Sequence, residues 1–231
     1  DEDIDRAMER TKTRPIPLGI VSKNEALVLG IITGIISLLL MQWFTNPLAT
    51  SLLLFTILFY IFIYTFWLKR STPLNIVIGG AAGAIPPIIG WTAVSPEINF
   101  LPISMFLIIF FWTPPHFWAL SVYRFNDYQK AKVPMLPNVK SIEDTKNQIV
   151  YYTIALIIFS YLPYIDQNIG LIYLTLATIL NFILLSSSIK LKKSKEKKSK
   201  PNTEGLKFFA LSIFYLFSLF SALLIDHLIR I

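Results

Sequence analysis

Seven long apolar runs separated by short polar breaks set the rhythm of the chain. They lie near residues 25–44, 48–68, 75–95, 100–124, 149–165, 170–189 and 206–226. A hydrocarbon core about 30 Å thick takes about 20 apolar residues of helix, so each run qualifies or nearly qualifies as a span. The breaks "FTNP", "KRSTP", "VSPEIN", "YIDQN" and "KLKKSKEKKSKPNTEG" gather Pro, Asn, Ser and Asp, and a long polar stretch joins Arg124 to Gln148. The pattern predicts an all-α polytopic membrane helix bundle, a single domain over residues 1–231 with seven transmembrane helices.

Composition agrees with the pattern. Hydrophobic residues make up 54% and charged residues 15% of the chain, and the mean hydropathy is +0.59, outside the usual range of soluble domains. Absence of cysteine excludes disulfide frameworks, thiol catalysis and Cys-based zinc sites. The net charge of +7 does not point to nucleic acid, because the basic residues fall in blocks between apolar runs, as in membrane proteins. Lys and Arg are retained on the cytoplasmic side, which fixes an orientation. With the start of the chain inside, the inner segments hold 5, 2, 5 and 8 basic residues, 20 of 21, and only Arg230 lies outside. Cytoplasmic loops are thus expected at about 1–24, 69–74, 125–148 and 190–205. The chain opens at Asp1 without an initiator Met or a signal-peptide pattern, and reads as part of a longer or processed protein. Its short loops favour a bacterial plasma membrane.

Charge is densest at the start, "DEDIDRAMERTKTRP". On a helix Asp1 and Asp5 stand about 40° apart and share a face with Glu9 nearby, while Arg6, Arg10 and Arg14 form a separate stripe. Such a carboxylate pair suits Mg²⁺, which takes one or two carboxylates and fills its shell with water and phosphate oxygens. The same acids also suit a first helical turn that complements the dipole. In "FFWTPPHFWALSVYRFNDYQKAKVPMLP", Pro114 and Pro115 are expected to interrupt the helix. If it resumes, His116, Leu120, Tyr123 and Asp127 form one stripe about 16 Å long, running to the cytoplasmic surface. An ionisable side chain at membrane depth raises function by default, although a His beside a helix break also serves to bond freed carbonyls. In "YTFWLKRSTPLNIVIGGAAGAIPPIIGW", Lys69 and Arg70 lie level with the acidic block, placed either to meet diphosphate or to anchor the helix at headgroups. Gly79 and Gly83 form a small-residue face for close helix packing, which Pro86 and Pro87 should kink or end. The lysine tract from Lys190 to Lys200 suits anionic headgroups or solvent.

Those three segments, in that order, resemble the intramembrane aromatic prenyltransferases (UbiA-type), and "WTPPHFWALSVYRFNDYQKAKVPMLPNV" resembles the haem branch of that family. The quinone-precursor branch carries an aspartate-rich second motif where this chain reads His116, Tyr123 and Asp127. The resemblance implies nine helices, two of them before residue 1. It also implies an NxxxDxxxD motif whose aspartates are Asp1 and Asp5 and whose Asn lies upstream of this sequence.

The implied reaction moves farnesyl from farnesyl diphosphate to the vinyl group of haem B, giving haem O. Asp1, Asp5 and Asp127 are the implied holders of Mg²⁺ and diphosphate. Arg10, Arg14, Lys69, Arg70, Arg124 and Lys130 are candidate phosphate clamps. His116, with Tyr123 on the same stripe, is a candidate for contacting haem through its iron or a propionate. Haem A synthase, which would consume the product, is a candidate partner. Two alternatives remain beside this reading. A prenyltransferase of quinone precursors is opposed by "TPPHFW", and a transporter would carry inverted repeats, of which the halves show no convincing match.

Overall fold

The computed structural model describes residues 1–195 and 202–230. The part of the lysine tract that includes Lys197, Lys198 and Lys200 lies outside them. Helix α1 is Glu2–Ala7, followed by α2 at Lys23–Phe44 and α3 at Pro47–Leu58, which continues as a π-helix over Phe59–Leu68 and a last α-turn at Lys69–Ser71. Next come α4 (Asn75–Ala84), α5 (Pro86–Val94), α6 (Phe100–Tyr123), the short α7 (Phe125–Lys130) and α8 (Leu136–Val139), α9 (Ile142–Ser160), α10 (Leu171–Lys193) and α11 (Thr203–Arg230). Among the described residues, 7 helical stretches are long and apolar enough to cross a membrane, matching the seven runs read from the sequence.

Local chemistry explains the helix ends. Ser22 and Glu25 form a reciprocal capping box at the start of α2: the Glu25 amide donates to Ser22 Oγ at 3.2 Å and the Ser22 amide to Glu25 Oε2 at 2.8 Å. Asn46 caps α3 through the Ala49 amide at 3.0 Å, and its own amide nitrogen donates to the Thr92 carbonyl at 2.6 Å. One side chain thus starts α3 and ties it to the end of α5. As expected, Pro86 ends α4 and begins α5.

The prolines of α6 behave otherwise. The helix runs unbroken through Pro114 and Pro115, with Thr113, Pro114, Pro115 and His116 all buried. Each proline removes a backbone donor and costs about 3 kcal/mol in an isolated helix. Here α4 and α5, α9 and α11 all pack on α6, and that burial outweighs the two missing bonds.

Helix α6 is the hub of the main core, whose largest fully buried side chains include Trp118, Tyr173, Tyr215 and Phe208. A polar chain crosses this core. Tyr215 donates to Asn181 Oδ1 at 2.8 Å, Asn181 to Ser160 Oγ at 2.9 Å and Tyr173 to the Ser160 carbonyl at 2.6 Å, linking α9, α10 and α11. Helix α2 is its opposite, apolar around its circumference and with none of its residues buried, as befits a helix facing lipid.

The small-residue face is used unequally. A Cβ at Gly79 would lie 2.1 Å from Cδ2 of Tyr64, and one at Gly80 would lie 3.0 Å from the Thr113 methyl, whereas Gly83 has nothing within 4 Å. Gly79 therefore seats the Tyr64 ring, which the π-helix delivers to it. Within that π-helix the Thr65 hydroxyl donates to the Tyr60 carbonyl five residues back at 2.9 Å. Segments of this kind recur at functional sites, and this one leads directly into Lys69 and Arg70.

Candidate active site

The opening block is a docked element. Ile4 and Met8 are buried against Ile76 at the start of α4 and against Val133 and Met135 beyond α7, with the Tyr128 ring packed on the same cluster. This second core holds α1 across the end of the bundle that carries Lys69, Arg70 and Arg124. Burial of the Tyr128 ring pushes its phenol above the ordinary range.

Docking changes the expected charge pattern. Helix α1 stops at Ala7 because Met8 turns to extended backbone, φ −101° and ψ 128°, on its way into the cluster. Glu9, Arg10 and Arg14 are therefore off the helix, and the separate acidic and basic stripes expected from one long helix do not form. Acids and bases pair instead. Arg14 folds back to donate to both oxygens of Asp5 at 3.0 and 3.3 Å, and the buried Thr11 hydroxyl fixes that return by donating to the Asp5 carbonyl at 3.0 Å. Lys69 pairs with Asp1. Arg70 forks onto Asp3 at 2.6 and 2.8 Å and lies 3.9 Å from Asp1. Glu2 receives Arg6 and Lys23, each at 2.7 Å, and Glu9 pairs with Lys12 at 2.5 Å.

These pairs set the local protonation. The Arg70 fork holds the Asp3 carboxyl far below the ordinary carboxylate range. The hydrogen bond from Lys23 does the same, more mildly, for Glu2.

Asp1 and Asp5 remain one helical turn apart, as expected from their spacing, with the Asp5 amide donating to the Asp1 carbonyl at 2.8 Å. Their side chains are 32% and 18% exposed, which leaves oxygens reachable from solvent. Asp127 does not extend a His116 stripe. Helix α6 ends at Tyr123, and Arg124, at φ −100° and ψ 26°, turns the chain so that Asp127 falls on α7. There Arg124 lies 3.5 Å from Asp127 and 5.1 Å over the Tyr123 ring. Arg10 and Lys130 are exposed and carry no ion pair among the described residues.

His116 lies inside the bundle. Its ring is stacked between Trp112 at 4.1 Å and Phe209 at 4.3 Å, meets Phe117 edge-on, and shares a 2.7 Å hydrogen bond from Nδ1 with Ser212 Oγ on α11.

Hard oxygen donors on one turn, flanked by cations, fit Mg²⁺ together with a phosphate group. Among the described residues no three acidic or histidine side chains gather into a ligand cluster. Asp1 and Asp5 lie one turn apart at α1 and Asp127 lies on α7, so these carboxylates alone would not fill the shell of a bound ion and phosphate oxygens and water would complete it.

Sequence reading did not single out Asp3, Thr11, Lys23, Tyr128 or Ser212. Asp3 and Arg70 stand 67 residues apart, and no local pattern announces such a pair. Tyr128 was open to inference, as an aromatic beside Asp127 and Lys130 within a polar loop segment.

A family model described as the UbiA prenyltransferase family matches residues 1–221. The chain is 48% identical over 229 residues to a protoheme IX farnesyltransferase of Pelagibacter ubique, covering 99% of this chain and 75% of that protein. It is 47% identical over 231 residues to the protein of the same name from Rhizobium rhizogenes, covering 100% of this chain and 72% of that one. Among solved structures, that of a digeranylgeranylglyceryl phosphate synthase matches with a TM-score of 0.76 at 20% identity, covering 98% of this chain and 77% of that one. A UbiA homolog from Archaeoglobus fulgidus bound to DMAPP and Mg²⁺ matches with a TM-score of 0.60 at 16% identity, covering 96% and 79%. Both carry the fold. Taken with the seven spans and the charged cap across one end, these matches establish that the chain belongs to the UbiA prenyltransferase family.

Proposed function

We propose that the protein transfers the farnesyl group of farnesyl diphosphate to a vinyl group of haem B, giving haem O and diphosphate. The observation that carries this is the 48% identity to a protoheme IX farnesyltransferase over 99% of the chain. The allylic C1–O bond breaks with its electron pair on diphosphate, and C1 bonds the terminal vinyl carbon. Water then adds to the neighbouring carbon and loses a proton.

The charged cap suits the leaving group. Asp1 and Asp5 on one side and Asp127 on the other would hold Mg²⁺ against the diphosphate. The ion, when bound, supplies charge neutralisation for the departing phosphate oxygens. Lys69, Arg14 and Arg70 already stand beside the carboxylates, so they meet phosphate oxygens by small side-chain changes and stabilise the charge that develops there. Arg124, adjoining Asp127, and the exposed Arg10 and Lys130 supply further donors. The docked α1 and the aromatic rings below it exclude water from the allylic cation until the vinyl carbon reacts.

In this reading the cap faces the cytoplasm of a bacterial plasma membrane, as the distribution of basic residues supports, and haem A synthase is a partner through its use of the product. Asp1→Asn, Asp5→Asn and Asp127→Asn test the metal and diphosphate role. Each is expected to lower haem O formation on the order of 100-fold while thermal stability stays near wild type, and chelation should abolish turnover until Mg²⁺ is restored. Wild-type rates in all three variants would overturn the assignment.

A further inference from the structure

The hydrogen bonds around His116 decide which of its nitrogens is available, and with it which part of a haem the ring can meet. The Ser212 hydroxyl has one proton and two lone pairs. Its oxygen lies 2.7 Å from the Phe209 carbonyl and 2.7 Å from His116 Nδ1; with the proton on the Phe209 carbonyl, the oxygen accepts from Nδ1. Nδ1 then carries the imidazole proton, and Nε2 is left with a bare lone pair.

Packing fixes the orientation of the ring. Trp112 and Phe209 cover its two faces, and the Trp112 indole donates to the Ser212 backbone carbonyl at 2.8 Å, holding the serine in place. What exposure the ring keeps lies along its edge, part of which Phe117 meets. Nε2 has no hydrogen-bond partner among the described residues and is not one of their fully buried unpartnered atoms, so the 6% exposure of His116 leaves that edge accessible.

We propose that Ser212 holds His116 as the Nδ1–H tautomer and that His116 Nε2 is the axial ligand of the haem iron. This rests on haem B being the acceptor. A bare Nε2 accepts and cannot donate, so it repels a propionate carboxylate, whereas a neutral imidazole whose other nitrogen is hydrogen-bonded is an ordinary iron ligand. His116 lies seven residues before Tyr123, about 10 Å along α6 from its charged end. Iron bound there places the macrocycle below the diphosphate site, with an edge able to turn toward the farnesyl C1. Ser212 acts through the histidine and is a positioning residue.

The test is spectroscopic and independent of turnover. Titrate the purified protein with haem B and record the visible and magnetic circular dichroism bands, then the iron–histidine stretch of the ferrous form by resonance Raman. Wild type is expected to show a histidine-ligated haem. His116→Ala and His116→Gln should lose those bands and bind haem at least about 10-fold more weakly, and added imidazole should restore the bands. Ser212→Ala should keep the ligand but lower the iron–histidine frequency, while Ser212→Thr, which retains a hydroxyl, should not.

Unchanged bands in both His116 variants, or an unchanged frequency in Ser212→Ala, would overturn the proposal. If wild type forms haem O while the His116 variants keep their bands, only the ligand assignment falls. If wild type binds no haem, the substrate reading falls with it.

Discussion

Gly79→Ala tests how the bundle positions its cationic residues. A Cβ at Gly79 would lie 2.1, 2.6 and 2.9 Å from Cδ2, Cε2 and Cγ of Tyr64. These atoms belong to a rigid ring near its attachment point, so the contact cannot be relieved by swinging the end of a flexible chain. Overpacking of this kind costs about 1–3 kcal/mol, against a gain of about 1 kcal/mol in helix propensity from replacing Gly by Ala. Gly83→Ala receives the same gain in the same helix and has nothing within 4 Å. The difference between the two variants isolates the clash, and at roughly 2–4 °C per kcal/mol it is readable as Tm in detergent. Gly79→Ala should melt below Gly83→Ala, and Tyr64→Leu in the Gly79→Ala background should recover most of the difference. Because Tyr64 is in the π-helix that leads to Lys69 and Arg70, farnesyl transfer should fall in Gly79→Ala at temperatures well below its Tm. Equal melting of the two single variants would refute the close approach and the positioning argument built on it.

The ion pairs of the cap yield further expectations. Arg70 and Asp3 side chains are 46% and 66% exposed, so Asp3→Asn should cost at most about 1 kcal/mol of stability. Arg70→Ala should reduce turnover more than Asp3→Asn does if the guanidinium also meets diphosphate; equal losses would confine Arg70 to docking α1. Asp3 has a depressed pKa in the folded protein, so its contribution is fully present above the ordinary carboxylate range and is lost only as pH falls through the depressed value. Hydrogen exchange over residues 1–14 should therefore show α1 docked from pH 5 to 8 and released in strong acid, and release near pH 6 would contradict this. Tyr215→Phe leaves Asn181 Oδ1 without its 2.8 Å donor. Within a membrane bundle the loss should be about 0.6 kcal/mol and no more than about 1.7, read as coupling to Asn181→Leu in a double-mutant cycle.

The seven spans were legible because apolar length is a strong signal and lipid leaves the backbone few other solutions. Charge placement brought the opening block and the Arg124–Gln148 stretch to one face, and Ile4, Met8, Val133 and Met135 do meet there. What failed was extrapolation from local geometry. The opening helix stops at Ala7 because burial of Met8 is worth more than another helical turn, and no periodicity within the segment encodes that. The break expected at Pro114 and Pro115 is absent because helices on several sides of α6 cover it. Asp127 left the His116 stripe for the complementary reason, that the chain turns at Arg124. The partner that defines His116, Ser212, is 96 residues away and looks like any serine in an apolar span. The helical spacing of Asp1 and Asp5 was thus readable, while the pairing of Lys69 and Arg14 with them and the contact that orients the histidine required the folded chain.

Haem B is the acceptor that this cap and core are expected to prenylate. Membranes containing the protein, supplied together with farnesyl diphosphate, Mg²⁺, haem B and an aromatic quinone precursor, offer both acceptors at once. Mass spectrometry of the extracted products should find the hydroxyethylfarnesyl porphyrin, with its hydroxyl oxygen labelled when the reaction is run in ¹⁸O water, and no prenylated quinone precursor. Prenylation of the aromatic acceptor with haem B recovered unchanged would contradict the account.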